Sequence, residues 1–124
     1  MRFIPTRLHG VVDYLVGALL IAAPWLLNFS RGVAETWVPV ALGVGALVYS
    51  IFTDYELGLV RRLGMGTHLG LDAASGLLLA ASPWVFGFSA FVFWPHLILG
   101  LFEIVAALTT ETTPAYSTRP RGLR

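Results

Sequence analysis

The chain contains no cysteine and no lysine, and only 12% of its 124 residues carry a formal charge. The missing cysteine excludes disulfides, thiolate metal sites and cysteine nucleophiles, and leaves no sign of a redox compartment. The scarcity of charge excludes an ordinary soluble globule. Hydrophobic residues make up 56% of the chain, mean hydropathy is +0.76, and two stretches run past 20 residues with a single acid apiece. Composition of this kind points to a membrane protein. Also missing are a nucleophile elbow, a phosphate-binding glycine loop, an HExxH helix and a basic aromatic patch for nucleic acid. Nothing invites an enzymatic reading.

What is present is a repeat. Shifting the chain on itself by 59 positions pairs His9 with His68, Asp13 with Asp72, Gly17 with Gly76, Pro24 with Pro83, Trp25 with Trp84, Phe29 with Phe88 and Ser30 with Ser89. An offset of 57 then aligns Trp37 with Trp94, Leu42 with Leu99, Gly43 with Gly100 and Thr53-Asp54 with Thr110-Glu111. The chain therefore reads as two copies of one unit, residues 1–59 and 60–110, followed by a tail at 111–124.

Each copy holds two apolar segments, at 8–28 and 37–53 and then at 68–88 and 93–109. At about 1.5 Å per residue each helix would cover roughly one hydrocarbon thickness. The expected fold is all-α, a four-transmembrane-helix bundle. Two crossings per copy make the copies parallel, related by a pseudo-twofold axis along the membrane normal. Arginine sets the orientation: the amino-terminal segment, the loop at 54–67 and the tail carry seven of the eight, while the loops near 31 and 90 carry only Arg31, offset by Glu35. Both termini are expected in the cytoplasm, and the protein in the cell membrane. A cleaved signal peptide over residues 1–23 fits less well, because Ile21-Ala22-Ala23 before Pro24 is a poor cleavage site and the same pattern recurs internally.

Two apolar hairpins whose first helices close on Ala23-Pro24-Trp25 and Ser82-Pro83-Trp84 resemble the SPW-repeat family of small integral membrane proteins. The resemblance covers roughly residues 8–110; it implies the fold and leaves molecular function open. Read from the residues themselves, Pro24 and Pro83 should kink or end their helices, since proline lacks an amide hydrogen and clashes with the preceding turn. Trp25, Trp84, Trp37 and Trp94 would then form an aromatic belt at the outer headgroup level. The sharper alternative, an unwound helix offering carbonyls to a substrate, explains nothing that anchoring and chain reversal do not.

The polar residues inside the apolar segments are the candidate sites. His9 and Asp13, like His68 and Asp72, lie four apart on one helix face. Counted from the tryptophans, the aspartates lie roughly 18 Å and the histidines roughly 24 Å inward, near the cytoplasmic boundary. If the pseudo-axis holds, the two pairs converge into a His2Asp2 cluster. Structural pairing, among themselves or with Arg7, Arg61 or Arg62, is preferred over proton or ion handling, and a metal site comes last; no metal or cofactor is assigned. Glu103 falls roughly 13 Å below Trp94, near the midplane, where an ionised carboxylate costs on the order of a few kcal/mol. It should be protonated, paired or turned into the bundle, with Tyr49, Ser50 or Ser75 as partners. Gly43-Val44-Gly45, Gly76-x3-Ala80 and Gly70-x3-Ala74 offer small faces for close helix approach. His96 reads as an exposed interface histidine, and the tail as disordered.

These features favour a non-enzymatic membrane module, structural, scaffolding or associated with a larger complex. Its expected partners are the bilayer and a second copy or another membrane protein, with no nucleic acid. The alternative is a small oligomeric transporter or ion-conducting unit using Glu103 and the His-Asp pairs.

Overall fold

A computed structural model describes residues 1–118. It is all-helical: α1 spans Thr6–Leu26, α2 Ala34–Ile51, α3 Met65–Val85 and α4 Trp94–Thr109, with a short 3-10 turn at Ala115–Thr118 and no strand among the described residues. The first and third helices are both 21 residues long and start 59 positions apart, the offset found in the sequence. Two helices, α1 and α2, are long and apolar enough to cross a membrane, and α4 is apolar but shorter.

The Pro-Trp breaks act where expected. Each first helix runs only two residues beyond its proline and then reverses through a left-handed residue, Asn28 at φ 59° in one hairpin and Gly87 at φ 74° in the other. The Phe29 amide donates to the Pro24 carbonyl (2.9 Å) and the Phe88 amide to the Pro83 carbonyl (2.8 Å). These six-to-one bonds are the mark of a Schellman ending, which satisfies carbonyls left over at a helix terminus. The same closure folds Phe29 and Phe88 inward, where they pack with Ala23 and Val92. All four tryptophans stay about half exposed at these ends.

Helix α1 packs on α2, α3 on α4, and α2 on α3. Between α1 and α4 runs a cleft of about 230 Å³ lined by Phe3, Leu8, Val12, Phe102 and Val105, with His9 in its wall. The tightest crossings are glycine on glycine: a methyl on Gly43 would sit 2.7 Å from the Gly17 carbonyl oxygen, and one on Gly100 2.5 Å from that of Gly76. Of the other small faces, Gly70 meets nothing within 4 Å and makes no crossing.

Burial is inverted relative to a soluble bundle. Among the described residues, the buried ones include as many polar or charged side chains as hydrophobic ones, while Leu15, Leu77, Ile98, Val105 and Leu108 are exposed on the helix flanks. An apolar exterior around a polar interior is what a lipid solvent selects.

The carboxy-terminal ends of α2 and α4 are held firmly. Arg2 donates through Nη1 to the carbonyls of Ala107 (2.9 Å) and Thr110 (2.6 Å), and the backbones of Ile4 and Thr110, and of Thr53 and Leu63, form isolated bridges. Part of the segment read as a disordered tail is ordered. Tyr116 donates to Asp54 and lies under the Arg61 guanidinium, which pins the 3-10 turn to the central loop. Arg119, Arg121 and Arg124 lie outside the described residues.

Overpacking a helix crossing costs about 1–3 kcal/mol. Gly100→Ala should therefore lower the melting temperature of the detergent-solubilised protein, whereas Gly45→Ala, at a position open to 4 Å, should leave it unchanged or slightly raised. Thermal melts of the two variants side by side check this.

Candidate functional site

The two His-x3-Asp pairs converge. His9 and Asp13 sit in the first half of α1, His68 and Asp72 in the first half of α3, and all four side chains are buried. The His9 Nε2 lies 2.7 Å from Asp72 Oδ2 and 3.0 Å from Asp13 Oδ1. The His68 Nε2 lies 2.9 Å from Asp13 Oδ2 and 3.2 Å from Asp72 Oδ2. Each imidazole thus faces the carboxylate of its own helix and that of the other.

The opposite ring nitrogens are held by threonines exchanged between the halves. His9 Nδ1 is 2.7 Å from Thr110 Oγ1, and His68 Nδ1 is 2.7 Å from Thr53 Oγ1. Each threonine spends its single hydroxyl hydrogen on a carbonyl one turn back, Thr110 on Ala106 and Thr53 on Tyr49, both at 2.6 Å. The hydroxyls must therefore accept from the rings, which assigns a hydrogen to both Nδ1 atoms and leaves both Nε2 atoms to the carboxylates. With Nδ1 occupied, a proton on Nε2 makes each ring an imidazolium, and two imidazoliums balance two carboxylates.

Two tyrosines complete the carboxylate shells. The Tyr55 hydroxyl donates to Asp13 Oδ2 (2.8 Å), and Tyr49 donates to Asp72 Oδ1. Both rings also close on His68, with centroids at 5.3 and 4.9 Å. In the loop after α2, burial, and after it the Asp13 charge, push the Tyr55 phenol well above its ordinary range, so it serves as a fixed donor. The arginines expected as partners take no part: among the described residues, both aspartates pair only with the histidines.

Glu103 turns into the bundle as expected and accepts from Ser75 Oγ (3.2 Å). Of its other two expected partners, Tyr49 goes to Asp72 instead. A cavity of about 20 Å³, room for one water-sized guest, lies between Glu103 and the cluster, lined by His9, Asp13, Asp72, Gly17, Ala46 and Ala106. By the offset of 57, Ala106 stands where the first half has Tyr49, and Ala46 where the second has Glu103. Two small side chains in place of large ones leave this space.

His96 corrects an expectation. It is buried at the opposite end of the bundle, with its ring between Phe29 and Phe88 (centroids 5.0 and 4.9 Å) and Nε2 2.9 Å from the Glu35 carbonyl. The Schellman closures fold both phenylalanines over it, which position relative to Trp94 alone did not convey. Glu35 is buried as well, its Oε1 accepting from the Arg31 amide (2.9 Å) and Nε (3.3 Å).

Sequence reasoning missed the roles of Thr53, Thr110 and Tyr55. The threonines carried a signal, since they pair at the repeat offset and end their segments, but Tyr55 has no counterpart: residue 112 is threonine.

Removing one member of a buried, charge-paired set costs about 3–5 kcal/mol, and an orphaned hydrogen-bond partner about 1–3 kcal/mol. In denaturant titrations of the detergent-solubilised protein, His68→Ala should destabilise more than Tyr55→Phe, and Asp72→Asn more than Glu103→Gln.

No curated protein and no solved structure matches the chain. The family model of the SPW repeat domain matches residues 7–110, a span that takes in both histidine-aspartate pairs, both Pro-Trp closures and the threonine after α4. With most of its length inside that match, the chain belongs to the SPW repeat family.

Proposed function

We propose that this chain is a non-enzymatic, four-span module of the cell membrane, structural or associated with a larger complex. In this reading its two hairpins enter the bilayer in parallel, related by a pseudo-twofold axis along the membrane normal, with both termini cytoplasmic. The observation that carries it is the reciprocal His-Asp cluster. Each histidine touches the carboxylates of both halves and leans on a threonine of the other. Such a centre clamps two weakly amphipathic hairpins into one body inside a solvent that supplies no hydrophobic drive between helices. The half-exposed tryptophans at one end and Arg2, Arg7, Arg61 and Arg62 at the other support the orientation. The apolar flanks face lipid, a second copy or another membrane protein.

Transport through the chain is the second reading, favoured by Glu103 and the small cavity beside the cluster. Against it, the glycine crossings and the fully buried Leu20 and Leu79 fill the bundle beyond that cavity. A space bounded in this way serves binding better than passage.

The cysteine-free sequence makes topology simple to test with single introduced thiols. Ser30→Cys should react with a membrane-impermeant maleimide on intact cells, and Thr113→Cys only after permeabilisation; the reverse pattern would invert the proposed orientation. Liposomes carrying the full chain should pass protons and monovalent cations no faster than empty ones. Flux that disappears in Glu103→Gln would replace the module with the transport reading.

A further inference from the structure

We propose that His9, Asp13, His68 and Asp72 together bind one first-row divalent transition-metal ion, of which zinc is the practical probe. Nε2 of each histidine and one oxygen of each aspartate would be the ligands. The site is new relative to the clamp described above and independent of it: a centre that refuses metal would still hold the hairpins through its ion pairs.

Geometry is the first support. One ligand atom from each of the four residues can be chosen so that all lie within 4.8 Å of one another. The observed nitrogen-to-oxygen distances are 2.7 and 3.2 Å from His9 and His68 to the shared Asp72 Oδ2, and 3.0 and 2.9 Å from them to Asp13, through Oδ1 for His9 and Oδ2 for His68. A tetrahedral zinc site with bonds of about 2.0–2.2 Å has edges of about 3.3–3.5 Å. These contacts need to open by about 0.1 to 0.8 Å to reach such edges, and the adjoining cavity gives His9, Asp13 and Asp72 somewhere to move.

The tautomer is the second support. A metal-binding imidazole commonly donates its remote N–H to a fixed acceptor, which orients the ring and leaves the other nitrogen as the ligand. Thr53 and Thr110 do this for both histidines, because their own hydrogens are committed to backbone carbonyls. The fully buried His68 Nε2 makes the case sharper. It is aimed at the centre and lies near two carboxylate oxygens, yet it forms no hydrogen bond with either. A lone pair directed at a cation has no need of one.

Charge is the third. Two buried carboxylates require two positive charges, and a dication with two neutral imidazoles supplies them as well as two imidazoliums do. Mixed imidazole and carboxylate donors suit zinc or iron(II) rather than magnesium or calcium, which take oxygen alone. Tyr55 and Tyr49 each hold one oxygen of an aspartate, as outer-shell donors do for ligating carboxylates.

The test uses the full chain, purified in detergent through a tag that needs no metal, stripped with chelator and titrated with zinc and with cobalt(II). Calorimetry should show one zinc per chain, and cobalt should develop the intense visible bands of four-coordinate geometry. Thr53→Val, which keeps all four ligands, should weaken zinc binding by about 10–100-fold, and Asp13→Asn with Asp72→Asn should abolish it. Glu103→Gln, outside the ligand set, should bind as the parent does. Absence of stoichiometric binding by the parent chain overturns the proposal, as does the weak spectrum of six-coordinate cobalt. Undiminished binding by the double aspartate variant overturns it too. The two readouts on the parent chain do not depend on any variant folding.

Discussion

A charge enclosed by hydrocarbon must find its opposite within the protein, and that requirement governs the half of this bundle that holds the His-Asp pairs. Two carboxylates four residues downstream of two histidines could not be buried on separate helices without a prohibitive loss of solvation. Brought together, they satisfy one another, and the surrounding structure follows from keeping them together. Tyr49 takes the Asp72 oxygen that the histidines leave, Tyr55 adds a second donor to Asp13 Oδ2, threonine hydroxyls fill the remaining imidazole nitrogens, and the bridges at residues 4 and 63 fix those threonines in place.

The helices carrying this centre are built from ordinary parts. Glycine pairs at residues 17 and 43, and at 76 and 100, let each hairpin close at backbone distance. Proline one turn before the reversal and a left-handed residue after it turn the chain at the far end. Because the polar groups are spent inward, the flanks are left to leucine, isoleucine and valine. Interior polarity and exterior apolarity are two sides of one solvent constraint.

Much of this was legible in the sequence because the repeat spells it out. The helix reversals at Pro24 and Pro83, the shared faces of the His-Asp pairs and the inward turn of Glu103 all follow from spacing within one segment. What escaped notice depended on contacts between distant segments. Tyr55 lies in a loop with no periodicity to mark it, yet it reaches a residue 42 positions away. His96 looked exposed because its neighbours in sequence suit an interface, whereas its neighbours in space are two phenylalanines folded back from the other ends. The ordered turn at Tyr116 likewise depends on Asp54, a partner that the composition of the tail does not announce.

The exchange of threonines between the halves also bears on the order in which the molecule can be completed. His9 leaves the ribosome about a hundred residues ahead of Thr110, which holds its ring. Throughout the synthesis of the intervening hundred residues the first hairpin must carry an unfinished polar face. It can bury that face only when the end of the fourth helix arrives, so the centre closes after both hairpins have been made and a nascent chain cannot mature one hairpin at a time.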